Sequence, residues 1–206
     1  MQRILLIFAA LLILTLSITI PSHAATPPAP VPQTGQTLCS NSSGMVIPCS
    51  GTGQDGAIKS GVAWPSPRFT DNGNATVSDN LTGLIWTKDA NKPGPAICGP
   101  ATIKNWQEAL DYAACLNTNV YLGYADWRVP TIRELGGLFD YERTNPALPA
   151  GHPFTSVQYN YWSSSTYASN ADYAWVAIMF FGGVGYEAKT NNYFNLSSVW
   201  PVRSEQ

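Results

Sequence analysis

The chain has 206 residues, of which 45% are hydrophobic, 12% aromatic and only 12% charged, with a formal net charge of −2. That length allows one domain with a substantial core. So small and balanced a charge carries no electrostatic footprint for nucleic acid or anionic lipid, and neither is expected as a partner.

The first segment, "MQRILLIFAALLILTLSITIPSHA", sets Arg3 ahead of an apolar run from Ile4 to Ile20. Ser22 and Ala24 put small residues three back and one back from a cut after Ala24. This is the pattern of a secretory signal peptide, so residues 1–24 are expected to be removed on export. The competing reading is a membrane anchor, because the run approaches spanning length. No Cys follows it where a lipid would be attached, and no later apolar run is long enough to span. Loss of Arg3 leaves 10 basic against 13 acidic side chains, a net charge of −3. The expected location is the periplasm, the cell surface or the exterior.

Residues 25–37, "ATPPAPVPQTGQT", are rich in Pro without apolar period and read as an extended linker. Residues 38–63 form a small polar segment with little to build a core. The four cysteines are Cys39, Cys49, Cys98 and Cys115. An even count in an exported chain argues for disulfides. Several pairings are open; we expect Cys39–Cys49 and Cys98–Cys115, since each pair brackets its own loop. Neither gap has metal-site spacing.

The folded body is expected over residues 64–203. Short β-favouring runs come first: Thr76–Ser78 and Leu84–Thr87 alternate with turn signals at Asn72-Gly73 and Asn80–Gly83. They predict an antiparallel meander with Trp86 pointing inward. In "NWQEALDYAACLN", Trp106, Ala109, Leu110, Ala113 and Leu116 fall at helical spacing. Asn105 and Glu108 have capping-box spacing, and so do Thr131 and Glu134, which open a second helix with Ile132, Leu135, Leu138 and Phe139 on its buried face. Gly136-Gly137 makes that helix short. From Phe154 the chain is β-like, with candidate strands in "NYWSSSTY", "YAWVAIMFF", "VGYEAK" and "SVWPVR". The order strands, helix, helix, strands predicts an α+β fold with an antiparallel sheet, two central helices and a β-rich C-terminal half.

The blocks "DNLTGLIWTKDAN", "WQEALDYAACLN", "GYADWRVPTIRELGGLFDY", "YWSSSTY" and "VWPVR" resemble the Lcl-type C-terminal domain, a bacterial family of unknown function named after a collagen-like adhesin. The resemblance covers residues 64–203. It implies a variant of the C-type lectin-like fold; fold alone does not fix function. The family's last block usually reads V-R-P-V-R. Trp200 stands here in place of the first Arg, so no role of that Arg carries over. The collagen-like repeats are absent.

"ADWRVPTIREL" packs Asp126, Arg128, Arg133 and Glu134 around Trp127 in a chain poor in charge. An acid–base pair of Asp126 and Glu134 would need burial to push their pKa values apart. The other reading is a structural joint, with Trp127 in the core, Arg128 bridging carboxylates or carbonyls, and Glu134 capping Thr131. We read it as the joint. A hydrolase triad would have to use His152 with Ser163, Ser164 or Ser165, and no Gly-x-Ser-x-Gly elbow supports it. Oxidation of the formylglycine type, which that fold also supports, needs cysteines in the C-terminal half, and none follows Cys115. The Glu-Pro-Asn and Trp-Asn-Asp motifs of calcium-dependent sugar binders of that fold are missing. Asp71, Asn72, Asp79 and Asn80 could gather around a structural calcium, but such residues commonly just make turns. No other cofactor is expected.

The positive signal is aromatic. Phe154 to Trp200 holds thirteen aromatic residues and only three charges, Asp172, Glu187 and Lys189. Candidate ligand contacts are Tyr159, Tyr161, Tyr167 and Tyr173, with Tyr186, Tyr193 and Phe194 further on; strand alternation implies that about half of them are core. Such side chains suit stacking on sugar rings or docking on proteins. The expectation is a non-enzymatic exported binding module for surface recognition or adhesion, directed at a neutral glycan or a protein. The alternatives are a His152-dependent hydrolase and a ligand-free structural envelope module.

Overall fold

The computed structural model describes residues 31–91, 94–99, 104–190 and 197–204. The signal-peptide segment and residues 25–30 lie outside these, as do Tyr193 and Phe194. No helix among the described residues is long and apolar enough to cross a membrane.

Near the N-terminus, β1 (Cys39–Ser40) and β2 (Val46–Ile47) pair as a short hairpin, followed by α1 (Asp55–Ile58). The Cys39–Cys49 disulfide closes this unit. Residues 31–37 are not a free spacer. Gln33 N–H donates to Val62 O, Gln33 O accepts from Trp64 Nε1 at 2.9 Å, and Tyr141 N–H donates to Thr34 O. Composition misleads here, because the attachment is made by hydrogen bonds, to backbone groups and from the Trp64 indole, and needs no apolar run within the segment.

The meander forms as expected. β3 (Phe69–Asp71), β4 (Thr76–Asp79) and β5 (Leu84–Thr87) pair in sequence, and the last strand, β9 (Val202–Ser204), returns beside β5. Trp86 pairs with Val202 and is fully buried. A second sheet holds β6 (Asn160–Thr166), β7 (Tyr173–Ile178) and β8 (Gly183–Ala188). All of these pairings are antiparallel. The fold is mixed α+β.

Both central helices start on the capping boxes read in the sequence. Asn105 Oδ1 accepts from Glu108 N–H while Glu108 Oε2 accepts from Asn105 N–H, opening α2 (Trp106–Thr118). Thr131 and Glu134 repeat the exchange at α3 (Ile132–Gly136). Each box satisfies backbone N–H groups that the first turn leaves orphaned. The Cys98–Cys115 disulfide ties α2 to the 3-10 turn Ala96–Cys98. Closing a loop of this size constrains the unfolded chain by about 3 kcal/mol.

Two apolar clusters meet along β6 and β7. Trp162 and Val176 pack with Ala109, Tyr112, Ala113 and Leu116 of α2. Tyr161 and Ala177, one residue away in each strand, pack in the other cluster with Leu135 of α3, Phe154 and Trp200. Successive residues of a strand point to opposite faces, so both faces of this pair are covered. Trp200, standing where the resemblance led us to expect Arg, is itself core: its ring meets Phe154 edge-on at 4.7 Å and its Nε1 donates to Thr87 O.

Candidate functional site

The cluster around Trp127 is a joint in its geometry. Trp127 is 2% exposed, and its Nε1 donates to Tyr121 O at 2.8 Å. The Asn117 side chain accepts from its backbone N–H and donates to its carbonyl, fastening the segment to the end of α2. Arg128 forms a two-pronged pair with Glu134, at 2.8 and 2.6 Å. Burial pushes the Glu134 carboxyl up, but the bonds from Arg128 and Thr131 outweigh it and hold the group below its ordinary value. Asp126 is taken by Arg203 at 2.7 Å, whose guanidinium also lies 3.9 Å from the Tyr124 ring centroid. The last strand is thereby fastened to the Trp127 segment.

The other candidate chemistries are not assembled. Ser163 Oγ donates to Trp175 O, Ser164 Oγ donates to Pro130 O, and Ser165 Oγ accepts from Ile132 N–H. No hydrogen bond joins any of them to His152, whose ring lies beside Phe154 and whose Nδ1 is buried without a partner. Burial lowers the imidazole pKa. Asp71 and Asn72 sit at one end of the β3–β4 hairpin and Asp79 and Asn80 at the other, so the four do not converge. Asp79 is buried in a two-pronged pair with Arg68, and Asp71 pairs with Lys88.

The tyrosines divide. Tyr161 is 0% exposed and its hydroxyl accepts from Gln158 N–H, so it is core and no ligand contact. Tyr167, Tyr173 and Tyr186 come together at one end of the second sheet. Trp175 and Tyr186 are register partners on one face, and Tyr173 lies on that face two residues before Trp175. The same face is fully buried at Ala177 and opens towards half-buried Trp175 and Tyr173, with Tyr186 53% exposed. Tyr167 and Tyr186 stack at 4.4 Å with 2° between planes, and Trp175 stands perpendicular to both. Tyr173 adds an edge contact to Tyr186 at 5.8 Å. The rings are therefore held fixed by one another, and the residues linking Tyr167 to Tyr173 are exposed. Lys189 borders this end: its Nζ donates to Thr166 Oγ1 and sits 4.1 Å from the Trp106 ring.

Tyr159 lies elsewhere, stacked on Phe180 at 5.2 Å, with Phe181 exposed beside the β7–β8 turn. Sequence reading missed Phe180 and Phe181. Their signal was the doublet "FF" placed directly before Gly182-Gly183; the Phe181 ring lies over Gly183, where a side chain would clash with it.

No curated protein matches the chain. The family model of the Lcl C-terminal domain matches residues 75–203, more than half of the chain. The match takes in β4, β5 and the first two residues of β9, both central helices and the whole tyrosine-bearing sheet, and on it the chain belongs to the Lcl C-terminal domain family.

Proposed function

We propose that the chain is an exported binding module that recognises a neutral glycan or a protein surface through Tyr167, Tyr173 and Tyr186. The observation that carries this reading is the half-exposed Tyr186, stacked on Tyr167 and braced by Trp175 at the open end of a sheet face. Tyrosines fixed in this way offer amphipathic area and hydroxyls at little cost in conformational entropy. Among the described residues, Lys189 and Asp172 border this end as one opposite-charge pair of residues, which suits a neutral partner better than a sulfated one. The site needs no acid or base for this task, and the carboxylates of Asp79, Asp126 and Glu134 are taken up in ion pairs. Within this proposal the sheet and its two helices are a lectin-like arrangement, and the two disulfides suit an oxidising compartment.

A glycan array probed with the chain, alongside binding to intact cells, tests the reading. Saturable binding that is insensitive to moderate salt supports it. Binding only to sulfated polymers, lost with salt, would contradict it, because that behaviour belongs to lysines and arginines.

A further inference from the structure

Away from the tyrosine face, a cavity of about 430 Å³ lies between α2 and the 3-10 turn. Among the described residues it is lined by Ile97, Lys104, Glu108, Asp111, Tyr112 and the Cys98–Cys115 disulfide. Lys104 is only 8% exposed, yet among the described residues no carboxylate lies within ion-pairing distance of it. Its Nζ donates to Gly99 O at 2.6 Å and sits 4.7 Å from the Tyr112 ring centroid. An ammonium has three protons to place, so this one is under-used. Among the described residues the buried Tyr112 hydroxyl has no hydrogen-bond partner. Buried polar groups in this condition are costly unless something completes them.

Glu108, Asp111, Tyr112 and Cys115 share one face of α2, being three, four and seven residues apart. Glu108 and Asp111 each spend one carboxylate oxygen locally, on Asn105 N–H and on Gln107 Nε2. Burial lowers the Lys104 pKa while Glu108 pulls it back up through space. The two charges thus feel each other across a gap that neither side chain closes. A single anion would meet the acidic rim and be repelled. A ligand with both charges would not.

We propose that this cavity binds the zwitterionic head of a free amino acid, carboxylate on Lys104 and ammonium against Glu108 and Asp111. Ile97 and the disulfide form an apolar wall for its side chain, which favours an aliphatic residue. The Tyr112 ring, with the Lys104 Nζ over its face, floors the site. None of these residues belongs to the tyrosine face, so failure here leaves that reading untouched.

The test is a titration of the isotopically labelled full chain with L-leucine, N-acetyl-leucine and leucinamide, followed by NMR at Tyr112 and Cys115. L-Leucine is expected to give saturable shifts at these positions. Each blocked analogue loses one charged contact and should bind about tenfold more weakly or worse. Lys104→Met should abolish the shifts. Because Lys104 is buried, the exposed pair Glu108→Gln with Asp111→Asn serves as the second variant; Gln keeps the capping box. That variant should lose L-leucine while N-acetyl-leucine binds no worse than before. No saturable shift with L-leucine, or equal binding of the blocked forms, would overturn the proposal.

Discussion

Tyr167 and Tyr186 lie face to face, 4.4 Å apart and only 2° from parallel, although one follows β6 and the other is within β8. Each has spent one ring face on its neighbour. Each keeps at most its other face, its rim and its hydroxyl for a partner, with Trp175 packed perpendicular to both. Recognition on such a surface depends on the stack as a unit, which shapes the final measurement below.

Trp127→Ala should cost about 3–5 kcal/mol of stability, as expected for a large aromatic truncated in a packed core. The loss includes the indole bond to Tyr121 O and edge contact with Tyr124 at 6.0 Å. Denaturant unfolding measures it. A change below about 1 kcal/mol would place little weight on the joint.

Glu134→Gln should destabilise the chain by about 1 kcal/mol at neutral pH, since the pair with Arg128 is partly exposed. The folded carboxyl lies below its ordinary value of 4.5. Its contribution is therefore complete above the unfolded pKa and is lost as pH falls through the folded one. The gap between wild type and variant should close in acid below pH 4.5, which unfolding midpoints across pH will show.

Glu187 should behave in the opposite sense. Burial raises its pKa, against the pull of bonds from Ser197 and Asn160. A carboxyl raised on folding gives full stability below its unfolded pKa and loses it as pH rises through the folded value. Glu187→Gln should thus raise the neutral-pH unfolding midpoint, with the gain vanishing in acid. The buried and unpartnered Oδ1 of Asn160 can accept from the new amide. A variant less stable than wild type at pH 7 would contradict this account.

Local grammar was readable in the sequence and long-range pairing was not. The boxes at Asn105/Glu108 and Thr131/Glu134 need only three-residue spacing, and both disulfides close short loops. Arg203 and Asp126 are 77 residues apart, so nothing local announces their pair. Tyr161 was misread because alternation assumes one open face, whereas β6 carries core on both, Tyr161 to one cluster and Trp162 to the other. Asp79 looked like a turn residue and is one, since it accepts from Leu81 N–H, but it also holds Arg68 in the interior. Tyr167, Tyr173 and Tyr186 were named as candidates; that they meet follows from the β7–β8 register together with the Tyr167 N–H bond to Tyr173 O, which no local spacing announces.

The central claim is that partner recognition resides on the tyrosine face and not on the histidine. The direct measurement compares Tyr186→Ala, Tyr167→Ala with Tyr186→Ala, and His152→Ala for binding to the same cells or arrayed glycan, with near-UV circular dichroism confirming the fold. Loss of a central aromatic anchor typically costs 2 kcal/mol or more, so Tyr186→Ala should weaken binding about thirtyfold. The double variant should do no better, and His152→Ala should bind like the parent. Undiminished binding by the folded double variant, or loss confined to His152→Ala, would contradict the account.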